Sequence, residues 1–346
     1  MKGTLALLLS IAVAVFCWGT YGPVVQLGGK DMGGGSLRPF ICVGLAYFFI
    51  AVLAPSALLQ IAGEKGRWTS SGIFWSLIAG AAGAIGALGV IMAFKFGGRP
   101  IYVMPLIFGG APVVNTFLTM FLARSYRQAG PLFFAGLILV IAGAVTVLLS
   151  RPSHEPPKQA AAASAAPAEK PGALKSLETS ALALLFTAMT ALAWGLYGPT
   201  LHKGQVAMEG SRLRPFICVG LAYFLIAVVV PSMLLRMEPN GSFTWSGSMW
   251  SLAGGAAGAL GALGIIMAFN FGGKPIFVMP IVFGGAPVIN TFVVASFSGG
   301  LGEIGPIFYA GLIAVIAGAV TVLLFAPKGP AHAPPAKKAA PAGAKA

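Results

Sequence analysis

Two aromatic pairs, Trp18 with Tyr21 and Trp194 with Tyr197, are the first residues in this chain that could handle a solute. Each pair is three residues apart, so on a helix its members share a face. A proline follows each pair, Pro23 or Pro199. It lacks an N–H and frees the carbonyl four residues back. An aromatic platform beside a loosened helix would bind a polar ring, such as a sugar or nucleoside, or gate access to one. The structural alternative is interfacial anchoring, where Trp and Tyr accumulate. A second set of residues recurs in the same way. Pro105, Gly109, Gly110 and Pro112 precede Asn115 and Thr116, and Pro280, Gly284, Gly285 and Pro287 precede Asn290 and Thr291. Helix-breaking residues then fall where polar side chains enter an apolar run, which is tolerated at membrane depth inside protein or against a wet cavity. Matched Gly/Pro-broken helices point to a transporter's substrate site; hydrogen bonding between helices by Asn is the alternative. The expected substrate-binding residues are therefore Trp18, Tyr21, Asn115, Thr116, Trp194, Tyr197, Asn290 and Thr291. Pro23, Pro105, Pro112, Pro199, Pro280 and Pro287 are the expected helix breaks or gates.

Other chemistries find no residues in the spans. The 8 acidic residues lie between, outside or, for Glu178, at the very edge of the apolar runs, and His154, His202 and His332 fall in expected linker, loop and tail. No Ser/His/Asp set and no paired carboxylates occur within the spans, so no enzyme is expected. Cys17, Cys42 and Cys218 lack the spacing of a zinc or redox motif and read as small apolar core residues. No metal and no cofactor is expected.

The elements that would position these residues must be membrane helices. The chain is 57% hydrophobic and 9% charged, against about 25% charged in a soluble domain, so lipid must be its solvent. Lys2 followed by an apolar run to Phe16 imitates a signal peptide, but Phe16 is too bulky for a cleavage position. The same stretch also recurs mid-chain at Leu182–Trp194. The internal repeat is explicit. Leu37–Phe48 returns unchanged as Leu213–Phe224, Trp18–Pro23 as Trp194–Pro199, and Phe108–Thr116 as Phe283–Thr291. Five apolar runs per half are long enough to cross a bilayer. In the first half they lie near 3–26, 37–61, 72–94, 100–123 and 131–150; in the second, near 177–200, 213–236, 248–270, 275–298 and 306–326. The expected fold is an all-α integral membrane protein of ten transmembrane helices in a 5+5 inverted-topology repeat. Residues 1–150 form the first repeat and 177–327 the second. Residues 151–176 are a flexible Pro/Ala-rich linker, and 328–346 a disordered basic tail.

An odd number of spans inverts the second copy, as in many secondary transporters. With the N-terminus inside, the inner segments carry 13 Lys and Arg against 9 outside, so both termini are expected in the cytoplasm. Glycines recur every third residue in the third and eighth helices, from Gly80 to Gly89 and from Gly255 to Gly264, where they would let backbones approach. Arg38 and Arg214 open the second and seventh helices and would snorkel to headgroups. The basic tail is expected to face anionic lipid, so the net charge of +14 needs no nucleic acid to explain it, and no nucleic-acid motif stands beside it.

Ten helices in two inverted halves resemble the drug/metabolite transporter superfamily. Trp-Gly in the first helix, paired glycines in the last helices (Gly136/Gly143 and Gly311/Gly318) and the pairs Met104-Pro105 and Met279-Pro280 carry the likeness. It is strongest to the bacterial glucose/ribose porter branch. The Gly-Glu pair that many members place before the fifth helix is replaced here by Arg124–Gln128, and only Glu303 approximates it in the second half. The resemblance implies a secondary transporter in the bacterial cytoplasmic membrane. Without a membrane carboxylate, its substrate would be a small neutral polar or anionic metabolite, a sugar among them, moved by alternating access. The alternative is a non-transporting scaffold or accessory subunit, with the small-residue faces of the fifth and tenth helices serving a homodimer or a membrane-complex partner. A scaffold would tolerate Asn115→Leu and Asn290→Leu, and a carrier should not.

Overall fold

The computed structural model describes residues 2–122, 129–150, 173–238, 241–273, 275–298 and 305–325. Among them the regular structure is entirely helical. The first half supplies α1 (Lys2–Asp31), α2 (Leu37–Tyr47), α3 (Ala54–Ala62), α4 (Ser70–Lys95), α5 (Pro100–Leu122) and α6 (Pro131–Leu149). The second supplies α7 (Ala173–Ala207), α8 (Leu213–Tyr223), α9 (Val230–Leu234), α10 (Trp245–Asn270), α11 (Pro275–Ser298) and α12 (Pro306–Leu324). Seven apolar stretches are long enough to cross a membrane, and three shorter ones, Pro131–Val147, Ile281–Phe297 and Pro306–Val322, are apolar as well. Helices answer every backbone group internally, which is why they suit lipid. Many large apolar side chains, such as Leu5, Phe16, Phe74, Phe121 and Ile138, point outward. That is the surface of a multi-pass helical membrane protein.

Most of the linker, 151–172, lies outside the described residues, as do 123–128, Lys274, Glu303 and the tail. The last four residues of the expected linker are helical, because α7 starts at Ala173. α1 and α7 also run on to Asp31 and Ala207, past Pro23 and Pro199, so His202 belongs to a helix and not to a loop. One missing N–H does not end a helix whose alternative is backbone exposed to lipid. Pro105 and Pro112 are likewise inside α5, and Pro280 and Pro287 inside α11. The winding changes elsewhere. Phe48–Leu53 and Phe224–Val229 are π-helical, just before Pro55 and Pro231. A proline that cannot donate lets the turn ahead of it widen, a common origin of π segments.

Packing joins the two halves. α1 lies along α10 and α11, and α4 along α7 and α8. α6 and α12 pack on each other, and their glycines explain how closely. A side chain on Gly136 would meet the Val322 backbone at 2.9 Å, and one on Gly318 the Val140 backbone at 2.6 Å. Gly143 and Gly311 make the reciprocal contacts with Val315 and Val147. The small-residue faces expected to serve a partner are thus filled by one another, since two such faces in one chain find each other first. The π segments mark where the second helix of each half crosses its counterpart. Tyr47 and Tyr223 stack there, rings parallel and 3.6 Å apart, with Phe48 and Phe224 beside them at 4.6 Å.

Candidate functional site

A cavity lies between the halves, walled by Trp18, Tyr21, Tyr47 and Phe283 and by Trp194, Tyr197 and Tyr223. Matched positions of the repeat supply both sides, so the site is built twice from one local pattern. Trp18 and Tyr21 share a face of α1, and Trp194 and Tyr197 share a face of α7. Tyr21 meets Trp194 edge-on at 5.8 Å, and Trp18 lies 6.4 Å from Phe283. Phe108 connects Trp194 and Phe283, at 6.2 and 6.3 Å.

The glycine stripes of α4 and α10 seat these aromatics. A side chain on Gly86 would collide with the Trp194 indole, and one on Gly261 with that of Trp18. Gly83 makes room for Tyr223 and Gly258 for Tyr47, where an added carbon would lie 2.9 and 3.0 Å from the rings. Each indole N–H donates to a carbonyl of the same stripe: Trp18 Nε1 to Gly258 O at 3.3 Å and Trp194 Nε1 to Gly83 O at 3.2 Å. The glycine period therefore does more than let backbones approach. It docks the walls of the cavity and answers their polar edges.

Not every expected site residue lines this space. Trp18, Tyr21, Trp194 and Tyr197 do; Asn115, Thr116, Asn290 and Thr291 do not. Asn290 is fully buried and donates from Nδ2 to the Pro100 carbonyl at 3.0 Å, tying α11 to the start of α5. Thr291 donates to the Pro287 carbonyl within its own helix. Thr116 is buried, and Asn115 is partly buried with a partner. The hydrogen-bonding alternative describes Asn290. Tyr47 and Tyr223 are lining residues that motif spacing did not single out. The available signal was a lone phenol at the end of the identical runs Leu37–Phe48 and Leu213–Phe224.

Charge gathers at the ends of the same helices. Glu64, after α3, accepts from Ser211 Oγ at 2.6 Å, from the Arg212 N–H at 2.8 Å and Nε at 2.9 Å, and from the Leu213 N–H at 3.2 Å. Arg214 Nη1 stands 3.5 Å away. Glu238, after α9, reciprocates. It accepts from the Ser36 N–H at 2.8 Å and Oγ at 3.1 Å, the Leu37 N–H at 3.0 Å and Lys95 Nζ at 3.3 Å, with Arg38 Nη1 at 3.7 Å. Each carboxylate caps the second helix of the opposite half, where unpaired N–H groups and the helix dipole favour an anion. Burial pushes both carboxyls up in pKa, but the hydrogen bonds outweigh it and hold them below the ordinary glutamate value. Arg38 and Arg214 are consequently turned into these clusters, their side chains 11% and 13% exposed, and do not snorkel. A lone Arg would reach for headgroups; a carboxylate from the other half gives it a nearer partner.

No family model matches the sequence, and no curated protein matches it. Among solved structures, one described only as the crystal structure of a protein superposes over 94% of this chain and 98% of its own, with a TM-score of 0.55 and 16% identity. At that identity the likeness is one of fold, extending over nearly the whole length of both chains.

Proposed function

We propose that this chain is a secondary membrane transporter of the drug/metabolite transporter type that carries a small polar metabolite by alternating access. Ten spans in a 5+5 inverted repeat, both termini cytoplasmic, in a bacterial plasma membrane, complete the reading. The observation that carries it is the aromatic cavity formed from matched residues of both halves. Ligand sites in helical membrane proteins are concave, mostly apolar and placed between helix bundles, and inverted-repeat carriers hold theirs at the repeat interface. About 40 Å³ is open to water molecules inside, room for about three of them, and both ends are bridged by ion pairs. An occluded carrier between its two open states would have this form. A scaffold has no use for a duplicated internal cavity.

The test is saturable uptake into proteoliposomes containing the purified protein, against a panel of sugars, nucleosides, nucleobases, organic acids and lipophilic cations. Uptake of one class, inhibited by its unlabelled analogue, supports the carrier. Proton-driven uptake of lipophilic cations would overturn the substrate reading, and no flux of any class would favour the scaffold. Binding can be read separately, since a solute in the cavity should quench tryptophan fluorescence in the wild type and not in Trp18→Phe/Trp194→Phe.

A further inference from the structure

We infer that the cavity takes an uncharged, flat ring compound with polar groups on opposite edges, and selects against both sugars and anions. This rests on the cavity being the carrier's binding site, and it narrows the neutral-or-anionic expectation. Among the described residues, no Asp, Glu, Lys, Arg or His lines the space, so an ion would be stripped of water with nothing to compensate it. The two indole N–H groups of the walls donate to Gly258 and Gly83, and the Tyr47 and Tyr223 rings stack on each other. Two phenols stand out. Tyr21 Oη and Tyr197 Oη are buried without a hydrogen-bond partner, in residues 3% and 7% exposed. Buried hydroxyls are normally satisfied, so this unmet pair marks where ligand atoms belong. They enter from different supports, α1 against α10 and α11, and α7 against α4 and α5. A ligand meeting both needs a hydrogen-bonding group at each of two edges. Its remaining surface meets the faces and edges of Trp18, Trp194, Tyr47, Tyr223 and Phe283, which favour a ring. A hexose fails here because its hydroxyls outnumber even the four phenols of the walls, and each one left dry and unpaired weakens binding by about tenfold.

Four probes decide this by isothermal calorimetry on the full chain in detergent: nicotinamide and uracil as flat neutral rings, nicotinate as the same ring with a charge, and glucose. A neutral ring should bind, with nicotinate and glucose at least about tenfold weaker. Tyr21→Phe/Tyr197→Phe should weaken the neutral ring about tenfold per phenol without lowering the melting temperature of the empty protein, because neither hydroxyl has a partner to lose. Tighter binding of glucose or nicotinate, unchanged affinity in the double variant, or no binding by either neutral ring overturns the inference. Saturable glucose uptake in proteoliposomes together with no binding of the rings would leave the carrier standing and remove only this ligand class.

A different set of atoms points to how the cavity opens. We infer that Glu238 and Glu64 are latches at opposite ends of the carrier, each of which opens its own end when released. The second helix of each half belongs to both bundles. α2 packs on α10, and beyond the π segment α3 turns to α8; α8 packs on α4, and beyond its π segment α9 turns to α2. The two helices cross at the stacked Tyr47 and Tyr223, in the cavity wall. Glu238 fastens the far end of one to the start of the other, Arg38, and to Lys95 at the end of α4; Glu64 does the same with Arg212 and Arg214. Two levers crossing at a shared fulcrum, latched at both ends, can open one end while the other stays fixed.

The chain carries its own reporters. Cys42 and Cys218 are equivalent buried residues, 4% and 2% exposed, one turn inside each latched helix start. In a Cys17→Ala background, Glu238→Gln should raise the maleimide reactivity of Cys42 about tenfold or more and leave Cys218 protected; Glu64→Gln should do the reverse. Equal exposure of both cysteines, as general loosening would give, overturns the latch, and so does protection of both. Uptake measured on the same variants keeps failure of the latch separate from failure of the carrier.

Discussion

Gly261→Ala tests the cavity from beneath its wall. The added methyl would fall on the Trp18 indole, so the ring must leave its slot and give up its hydrogen bond to Gly258. Overpacking of this kind costs about 1–3 kcal/mol, and the lost hydrogen bond about 0.5–1.5 kcal/mol net. Alanine recovers roughly 0.5–1 kcal/mol in a helix interior. The net expectation is about 0.5–4 kcal/mol of destabilisation, with Gly86→Ala matching it through Trp194. Gly3→Ala is the control, since nothing lies within 4 Å of its added carbon, and it should be neutral or slightly stabilising. Denaturant melts of the detergent-solubilised protein give the magnitude. Repeating Gly261→Ala in a Trp18→Phe background isolates the cause, because the clash is with the indole: most of the penalty should disappear, leaving a coupling of about 1–2 kcal/mol. If Gly261→Ala is as stable as wild type, or its penalty survives Trp18→Phe intact, the glycine stripe does not seat the tryptophan and the cavity wall is wrongly explained.

Two other expectations concern single sites. Asn290→Leu removes the bond to the Pro100 carbonyl but also a buried Oδ1 that has no partner. Helix–helix hydrogen bonds in membranes are worth about 0.6 kcal/mol, so stability should change by less than about 1 kcal/mol and ligand affinity should hold; a tenfold loss of affinity would return this residue to the binding site. The latches should respond to acid. Glu64 and Glu238 are held below the ordinary glutamate value when folded, so their stabilisation is complete above the unfolded value of about 4.3 and is lost as pH falls through the lowered one. Arg212 and Arg214 face the first carboxylate, and Arg38 and Lys95 the second. Melting temperature should therefore drop below about pH 4.3, and Glu64→Gln/Glu238→Gln should flatten the drop; an identical acid profile in the double variant would refute it.

What could be read from sequence follows from what lipid requires. Apolar runs such as 70–95 and 245–270 are long because a membrane helix must be continuous, so those helices were legible, as was the aromatic face made by Trp18 and Tyr21, three residues apart. The consequence of each proline was not. Pro23 and Pro105 keep their helices while Pro55 and Pro231 follow π turns, a choice made by neighbouring packing and not by the residue itself. The latches were hidden because each carboxylate meets a helix of the other half, Glu64 with Arg212 and Glu238 with Ser36. The two carboxylates also fall at non-equivalent positions of the repeat, Glu238 standing opposite Ala62 and not Glu64. Asn290 misled because a polar side chain at depth answers equally well to a substrate or to a neighbouring carbonyl.

The repeats match most closely where the cavity is and least where it opens. Trp18, Tyr21, Tyr47 and Gly83 face Trp194, Tyr197, Tyr223 and Gly258, so most of the cavity wall presents the same chemistry from either side. The ends differ: at positions equivalent in the repeat, Lys95 stands opposite Asn270, Lys30 opposite Val206 and Gln26 opposite His202. Lys95 also bonds Glu238 and Ser36, giving that latch a cation that Asn270 cannot supply to the other. On the carrier reading proposed above, a bias between its two open states is expected chiefly from the ends. Exchanging the pair, Lys95→Asn with Asn270→Lys, should leave ligand affinity unchanged while shifting which of Cys42 and Cys218 is labelled faster. A change in affinity without a change in labelling would place the asymmetry in the cavity and refute this division of roles.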